Sequence, residues 1–166
     1  MLADAPRHLA HQYFPSIFAS TQTTMAAVAR SLSTCIFCKI IKGEIPSFKL
    51  VETDLSFSFL DIGPLSKGHA LIIPKDHAAK LHELPDEYLA DVMPIAKKIA
   101  TAQGLENYNI LQNNGRIAHQ VVDHVHFHVI PKPAASDEEG LVIGWPAKSD
   151  VVDEVKKYHQ ELLGKL

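Results

Sequence analysis

The chain has 166 residues, with 16 Lys and Arg against 19 Asp and Glu and a formal net charge of −3. That length holds one domain with a sizeable core, and the near balance of charge gives no bulk electrostatic drive towards nucleic acid or a membrane surface. No apolar run approaches the ~20 residues of a transmembrane helix, and the single Cys35-x-x-Cys38 pair does not form a secreted disulfide framework.

Residues 1–34 read as a leader without helical or strand period, rich in small and hydroxylated residues (Ser16, Ser20, Thr21, Thr23, Thr24), with Arg7 and Arg30 against the lone acid Asp4. Two readings stay open: a disordered extension, with the protein cytoplasmic and/or nuclear, or a mitochondrial transit peptide. Residues 35–133 form the predicted domain, and residues 134–166 a C-terminal extension carrying a helix.

The domain opens on Cys35-Ile-Phe-Cys-Lys-Ile-Ile41, closed by a turn at Gly43 to Pro46. Phe48 to Glu52 and Leu55 to Leu60 read as paired strands joined at Thr53-Asp54. In the second, Leu55, Phe57 and Phe59 alternate with Ser56 and Ser58, as in a strand with one wet face. Asp61 to Gly68 is a loop of turn formers. His69 to Pro74 is apolar enough to be a central strand. Pro85-Asp86-Glu87 starts the main helix, with acids where its dipole favours them. Its apolar stripe is Leu89, Val92, Met93, Ala96, Ile99 and Ala100, with Pro94 inside and Gly104 as the stop. Tyr108 to Gln112 is a further strand, followed by the turn Asn113-Asn114-Gly115-Arg116. A final helix is expected from about Asp150 to Leu163, capped by Ser149 or Asp150. Strands with short connections, then a helix, then strands, argue an α+β domain with an antiparallel sheet of about five strands.

Seven of the ten histidines fall between His69 and His128. The segment His124-Val-His126-Phe-His128-Val-Ile-Pro131 alternates imidazoles with apolar side chains. As a strand from about Val121 to Ile130 it sets His124, His126 and His128 on one face, ~6.5–7 Å apart, and Val125, Phe127 and Val129 in the core. Three readings compete: a solvated face, a metal site, or a nucleophilic cluster around a phosphate. A nucleophilic imidazole needs one free nitrogen and an acceptor for its other N–H. His126, flanked on both sides, is the best supported for that part, and its neighbours can donate to phosphoryl oxygens. Asn113 to Gly115 is either a phosphate-facing donor loop or a plain turn. Asp61 is either a ribose-binding carboxylate or a turn starter.

These blocks resemble the histidine triad (HIT) family. His124-x-His126-x-His128-x-x matches the family signature. Cys35-Ile-Phe-Cys38, Asp61-Ile62 eight residues before His69, His69-Ala-Leu-Ile-Ile-Pro, and Asn113-x-Gly115 with Gln120 match its Hint-type nucleotide-binding branch. The resemblance covers Cys35 to Pro133. It implies a homodimer with one continuous sheet that binds purine nucleoside monophosphates and hydrolyses adenosine phosphoramidates to AMP and an amine, without a catalytic cofactor. By position it implies His126 as nucleophile, with His124, His128 and His69 in the catalytic cluster. Asp61, Ile62, Asn113, Gly115, Gln120 and Val121 are the implied nucleotide contacts. Cys35, Cys38, His77 and His124 are candidate ligands of a structural zinc, as in some relatives of the wider superfamily. The family reads Gly-Gln-Ser/Thr before the triad, whereas this chain reads His119-Gln120-Val121. The lost hydroxyl and glycine imply binding retained better than turnover, or a shifted leaving-group preference. A dinucleoside polyphosphate hydrolase, and a nucleotide-binding regulatory or scaffold protein with weak turnover, are the alternatives. Beyond the core, Trp145 and the last helix either pack on the surface or reach the partner subunit's site.

Overall fold

The pairing of apolar strands with one long amphipathic helix produces a single antiparallel sheet clamped on both faces. The structure, a computed structural model, describes residues 34–144 and 146–166. The expected leader up to Ser33 and the role of Trp145 lie outside those residues. In chain order the elements are α1 (Ile36–Ile41), β1 (Phe48–Glu52), β2 (Ser56–Leu60), β3 (Ala70–Pro74), α2 (Asp86–Ala102), β4 (Tyr108–Gln112), β5 (Phe127–Pro131) and α3 (Val152–Leu163). The five strands run in the order β1-β2-β3-β5-β4, and all neighbours are antiparallel. The α+β expectation holds, and β3, buried at all five positions, is central as its composition requires.

α2 covers one face. Val92, Ile95, Ala96 and Ile99 pack on Ala70, Ile72, Val125, Phe127 and Val129. α1 covers part of the other, with Phe37, Cys38 and Ile40 on Phe57, Phe59, Leu71 and Ile73. This double cover corrects the reading of β2. Ser56 and Ser58 are fully buried, not wet, because α2 lies over them. Ser58 survives there by bonding one residue twice: its hydroxyl accepts the Val51 N–H at 2.9 Å and donates to the Val51 carbonyl at 3.0 Å. That double bond sits where β1 slips register between Lys49 and Val51.

Two details of α2 also differ from expectation. Ile95 takes the core position given to Met93, which is 46% exposed. Pro94 does not end the helix, which continues to Ala102. Pro94 lies on the exposed side, where the carbonyl it leaves without an N–H partner can be solvated. The helix stops as predicted, with Gly104 at φ +63°.

The expected ten-residue histidine strand is half that length. Regular pairing covers only Phe127–Pro131. Upstream the chain turns tightly, with the His124 N–H on the Val122 carbonyl at 2.8 Å and the Val125 N–H on the Ala78 carbonyl at 2.8 Å. The alternation of faces nevertheless persists from His124 to Val129. α3 starts at Val152 without a side-chain cap, so neither Ser149 nor Asp150 caps it, and none of its residues is buried. No helix among the described residues is long and apolar enough to cross a membrane.

Candidate active site

A cavity of about 840 Å³ opens on the α1 face of the sheet. Apolar walls come from Phe37, Phe59, Ile62 and Leu111, and polar groups from Asp61, Asn113, His69, His126 and His128. Val121, 77% exposed, stands on its rim.

His126 is buried and its Nδ1 lies 2.6 Å from the His124 carbonyl oxygen. A carbonyl only accepts, so Nδ1 carries the proton and Nε2 keeps its lone pair. Burial holds the His126 pKa below its ordinary value, against the opposing effect of that hydrogen bond. The edge of Phe37, with ring centroids 5.2 Å apart, fixes the plane of the imidazole.

His128 owes its tautomer to a chain of two bonds. The Leu65 N–H donates to His69 Nδ1 at 3.2 Å. His69 must then carry its proton on Nε2, which lies 2.9 Å from His128 Nδ1. His128 Nδ1 accepts, so its own proton sits on Nε2. Burial, and then the neighbouring His126 and His69, push the His128 pKa down to about 4. The Asp61 carboxylate approaches His69 Nδ1 at 3.7 Å, beyond hydrogen-bond length. Desolvation of the buried His69 outweighs that carboxylate and lowers its pKa too. His69 and His128 are therefore neutral near pH 7, and His128 offers a neutral N–H donor.

Asp61 follows β2. Its Oδ1 accepts the Gly63 N–H at 2.8 Å, an Asx turn that aims the carboxylate. Ile62, beside it, is 87% exposed on the cavity. Asn113 reaches the cavity, but Gly115 and Gln120 do not. Gln120 is a scaffold residue. Its Oε1 accepts the Gly115 N–H at 2.5 Å, and its Nε2 donates to the carbonyls of Ala79 at 2.7 Å and Val122 at 3.0 Å. Spacing alone could not separate a side chain that bonds a ligand from one that ties the loop beneath it. His119 adopts φ +64°, a left-handed backbone that glycine takes without strain. This is the position where the family pattern carries glycine.

His124 faces a different set of atoms. Its ring, fully buried, presents Nδ1 at 3.5 Å from the Cys35 sulfur and 3.6 Å from the Cys38 sulfur. His77 Nδ1 lies 3.2 Å from His124 Nδ1 and 3.3 Å from the Cys38 sulfur. All four donor atoms fall within 4.8 Å of one another. The His124 Nε2–H donates to the Pro74 carbonyl at 2.9 Å, which leaves Nδ1 unprotonated and aimed at the sulfurs. Burial is the main cause of the fall of the His124 pKa to about 4. Burial and the adjacent Cys35 thiol push Cys38 up to about 12. The imidazole row is thus split, with His126 and His128 in the cavity and His124 in a four-donor cluster behind it.

Residues 42–135 match the model of the HIT domain. This chain belongs to the HIT family. It is 61% identical over 146 residues to the adenosine 5'-monophosphoramidase HNT1 of Saccharomyces cerevisiae, covering 88% of this chain and 91% of that protein. It is also 61% identical over 133 residues to the adenosine 5'-monophosphoramidase hnt1 of Schizosaccharomyces pombe, covering 80% and 98%. The crystal structure of a histidine triad nucleotide-binding protein from Candida albicans superposes with a TM-score of 0.75 at 55% identity, over 80% of this chain and 96% of that one. The HIT fold of the relatives is thus the fold of this chain, and the expected α+β sheet is its frame.

Two parts of this HIT site were not foreseen from the residues. Phe37 touches both His124 and His126 edge-on. Leu141 and Val142, from the C-terminal extension, line this chain's own cavity. The Gly140 N–H bonds the Leu65 carbonyl at 2.8 Å, and Gly140 has φ +84° where a Cβ would sit 2.8 Å from the Pro131 carbonyl. A glycine at the foot of an otherwise acidic linker was the one available signal.

Proposed function

We propose that the protein hydrolyses adenosine 5'-phosphoramidates to AMP and an amine through a nucleotidyl-His126 intermediate. The observation that carries this reading is the 2.6 Å bond from His126 Nδ1–H to the His124 carbonyl. It leaves Nε2 as a lone-pair nitrogen on the cavity side. The relatives named adenosine 5'-monophosphoramidase support the substrate class.

In this reading the purine rests against Ile62 and Phe59, and Asp61 accepts the ribose hydroxyls. His126 Nε2 attacks the α-phosphorus. The P–N bond breaks, and the departing nitrogen takes a proton from solvent at the cavity mouth. Water then attacks phosphorus, the P–Nε2 bond breaks, and a proton returns to solvent. The neutral His128 Nε2–H donates to a phosphoryl oxygen in both steps, where charge spreads over the equatorial oxygens. Asn113 and the backbone at His119 to Val121 lie beside the same oxygens. A single-turnover assay with a tryptamine–AMP phosphoramidate tests this. The native chain should release AMP and His126→Ala should not. Equal release from both overturns the hydrolase reading and leaves a nucleotide-binding module, which the missing hydroxyl at Val121 would suit.

We also infer that Cys35, Cys38, His77 and His124 hold a structural zinc. Tetrahedral zinc, with Zn–N of ~2.05 Å and Zn–S of ~2.3 Å, sets N···N at about 3.3 Å and S···N at about 3.6 Å. Four of the cluster's six separations run from 3.2 to 3.6 Å, and all six stay within 4.8 Å. Bound there, zinc would tie α1 to the sheet and perform none of the chemistry. Metal analysis of chelator-free protein should find one zinc per chain, and a content far below that excludes the site. A homodimer joined along the outer edge of β4 is our reading of the assembly. Tyr108 and Ile110 are half exposed on that edge strand, with its outer backbone unpaired by any strand described. Light scattering giving a monomer mass would refute it.

A further inference from the structure

We propose that Cys35, Cys38 and His77 are positioning residues for the nucleophile, acting on His126 through His124. The argument starts from one peptide unit. The bond between His124 and Val125 carries the carbonyl that holds His126 Nδ1–H at 2.6 Å. The N–H of the same unit, on Val125, bonds the Ala78 carbonyl at 2.8 Å. This unit lies upstream of β5, whose pairing with β3 begins at Phe127. No sheet ladder therefore sets its orientation.

Two grips set it instead, one on the His124 ring within the cluster and one from the residue that follows the cluster's His77. The His124 ring is enclosed at Nδ1 by the two sulfurs and His77, and held at Nε2–H by the Pro74 carbonyl. His77 is followed directly by Ala78, whose carbonyl holds the other side of the peptide. Cluster and nucleophile thus share a residue, with the His124 ring in one and its carbonyl on the other. If the ring is released, the peptide can rotate and His126 Nδ1–H loses its acceptor. A neutral imidazole is then free to carry its proton on Nε2, and a protonated Nε2 has no lone pair with which to attack.

The test uses Cys38→Ala, a small apolar replacement suited to a buried site, and His77→Gln, which keeps hydrogen-bonding capacity should the first fail to fold. Ser58→Ala, on the opposite face of the sheet, is the control for general destabilisation. Three quantities are read: the single-turnover rate with the phosphoramidate, the Kd for AMP, and the ring 15N shifts of His126, assigned from their loss in His126→Ala. Removing residues that orient a working histidine from behind typically costs about 10–100-fold. That fall is expected here, with AMP affinity within about threefold and the His126 shifts moving from the Nδ1–H pattern towards Nε2–H. Ser58→Ala should move none of the three. A folded cluster variant with unchanged His126 shifts overturns the proposal, and so does an equal loss of rate in Ser58→Ala. The kinetic arm rests on the hydrolase reading, but the 15N arm is read on the protein without substrate. A native chain that never releases AMP would sink that reading and leave this one decided by the shifts.

Discussion

His69 never needs to touch the substrate to matter, and a double-mutant cycle measures how much. The His69 and His128 ring centroids lie 5.2 Å apart, and His69→Phe keeps a ring there but removes the 2.9 Å bond that places the His128 proton on Nε2. A neutral hydrogen bond of this kind contributes about 1 kcal/mol, which corresponds to roughly fivefold in kcat/KM. His128→Phe removes the donor itself. A bond from that donor to an anionic phosphoryl oxygen contributes about 1.5–3 kcal/mol, or roughly 10- to 150-fold. If His69 works only through His128, the double variant is no worse than His128→Phe alone, and the cycle returns a coupling of about 1 kcal/mol. The assay is kcat/KM for an adenosine phosphoramidate, with thermal unfolding alongside, because the orphaned Leu65 N–H costs stability whatever happens to rate. Strict additivity of the two losses would refute the relay, since it would mean that His69 meets the substrate directly.

Val121 is 77% exposed on the cavity rim, so Val121→Ser should change stability by less than about 0.5 kcal/mol. A fully desolvated oxyanion donor contributes ~10²–10³ in rate, and water competes at this rim, so a gain of about tenfold in kcat is expected; an unchanged kcat removes the idea that the hydroxyl is missed. Stability should depend on acid in a defined window. Burial pushes His128 down to about 4 and holds His69 below its ordinary value, so between 6.5 and about 4 His128 binds more protons in the unfolded chain, and His69 acts in the same direction. Stability is therefore complete above pH 6.5 and falls by up to ~1.4 kcal/mol per pH unit for His128 as pH drops through that window, with a further loss in the same direction from His69. Urea midpoints that stay flat from pH 7 to 5 would contradict the burial of these rings. Gly140→Ala, at φ +84° against the Pro131 carbonyl, should cost about 1–2 kcal/mol and loosen Leu141 and Val142 from the cavity, read as a change in leaving-group preference with AMP affinity retained.

Much of the fold was legible because periodicity records which way a side chain faces. The strands β1 to β4 follow from it, while the helix stop follows from Gly104 and the antiparallel sheet from the short connections between strands. Periodicity does not record what lies beyond the face. Ser56 and Ser58 alternate with apolar neighbours as on a wet strand, yet α2 covers them, and only the Val51 backbone makes Ser58 tolerable there. Nor does periodicity record pairing. His124 to Val129 alternate throughout, but ladder bonds start at Phe127, since the Val125 N–H goes to Ala78. In the site, Asp61, Asn113, His69, His126 and His128 come together on one cavity, whereas His124, in the same alternating row, turns to the cysteines behind it. Gln120 was misjudged because a polar residue at ligand spacing can equally be the strut of its own loop.

The histidine row shows why residue type fixes chemistry less than the atom behind each ring. His124 and His126 are buried and His128 half-buried on the same face, yet each has a different partner on its far nitrogen. His124 meets sulfurs and His77 on Nδ1 and becomes a clamp. His126 meets a carbonyl on Nδ1 and keeps its lone pair on Nε2. His128 meets an N–H on Nδ1 and becomes a donor. The last difference originates at Leu65, a backbone amide in a turn four residues before His69, which no side-chain pattern marks. The same amino acid at three alternate positions thus supplies a fixed acceptor peptide, a lone-pair nitrogen and a neutral N–H donor, and the order cannot be permuted. Moving any one acceptor would change which nitrogen of the next ring is free.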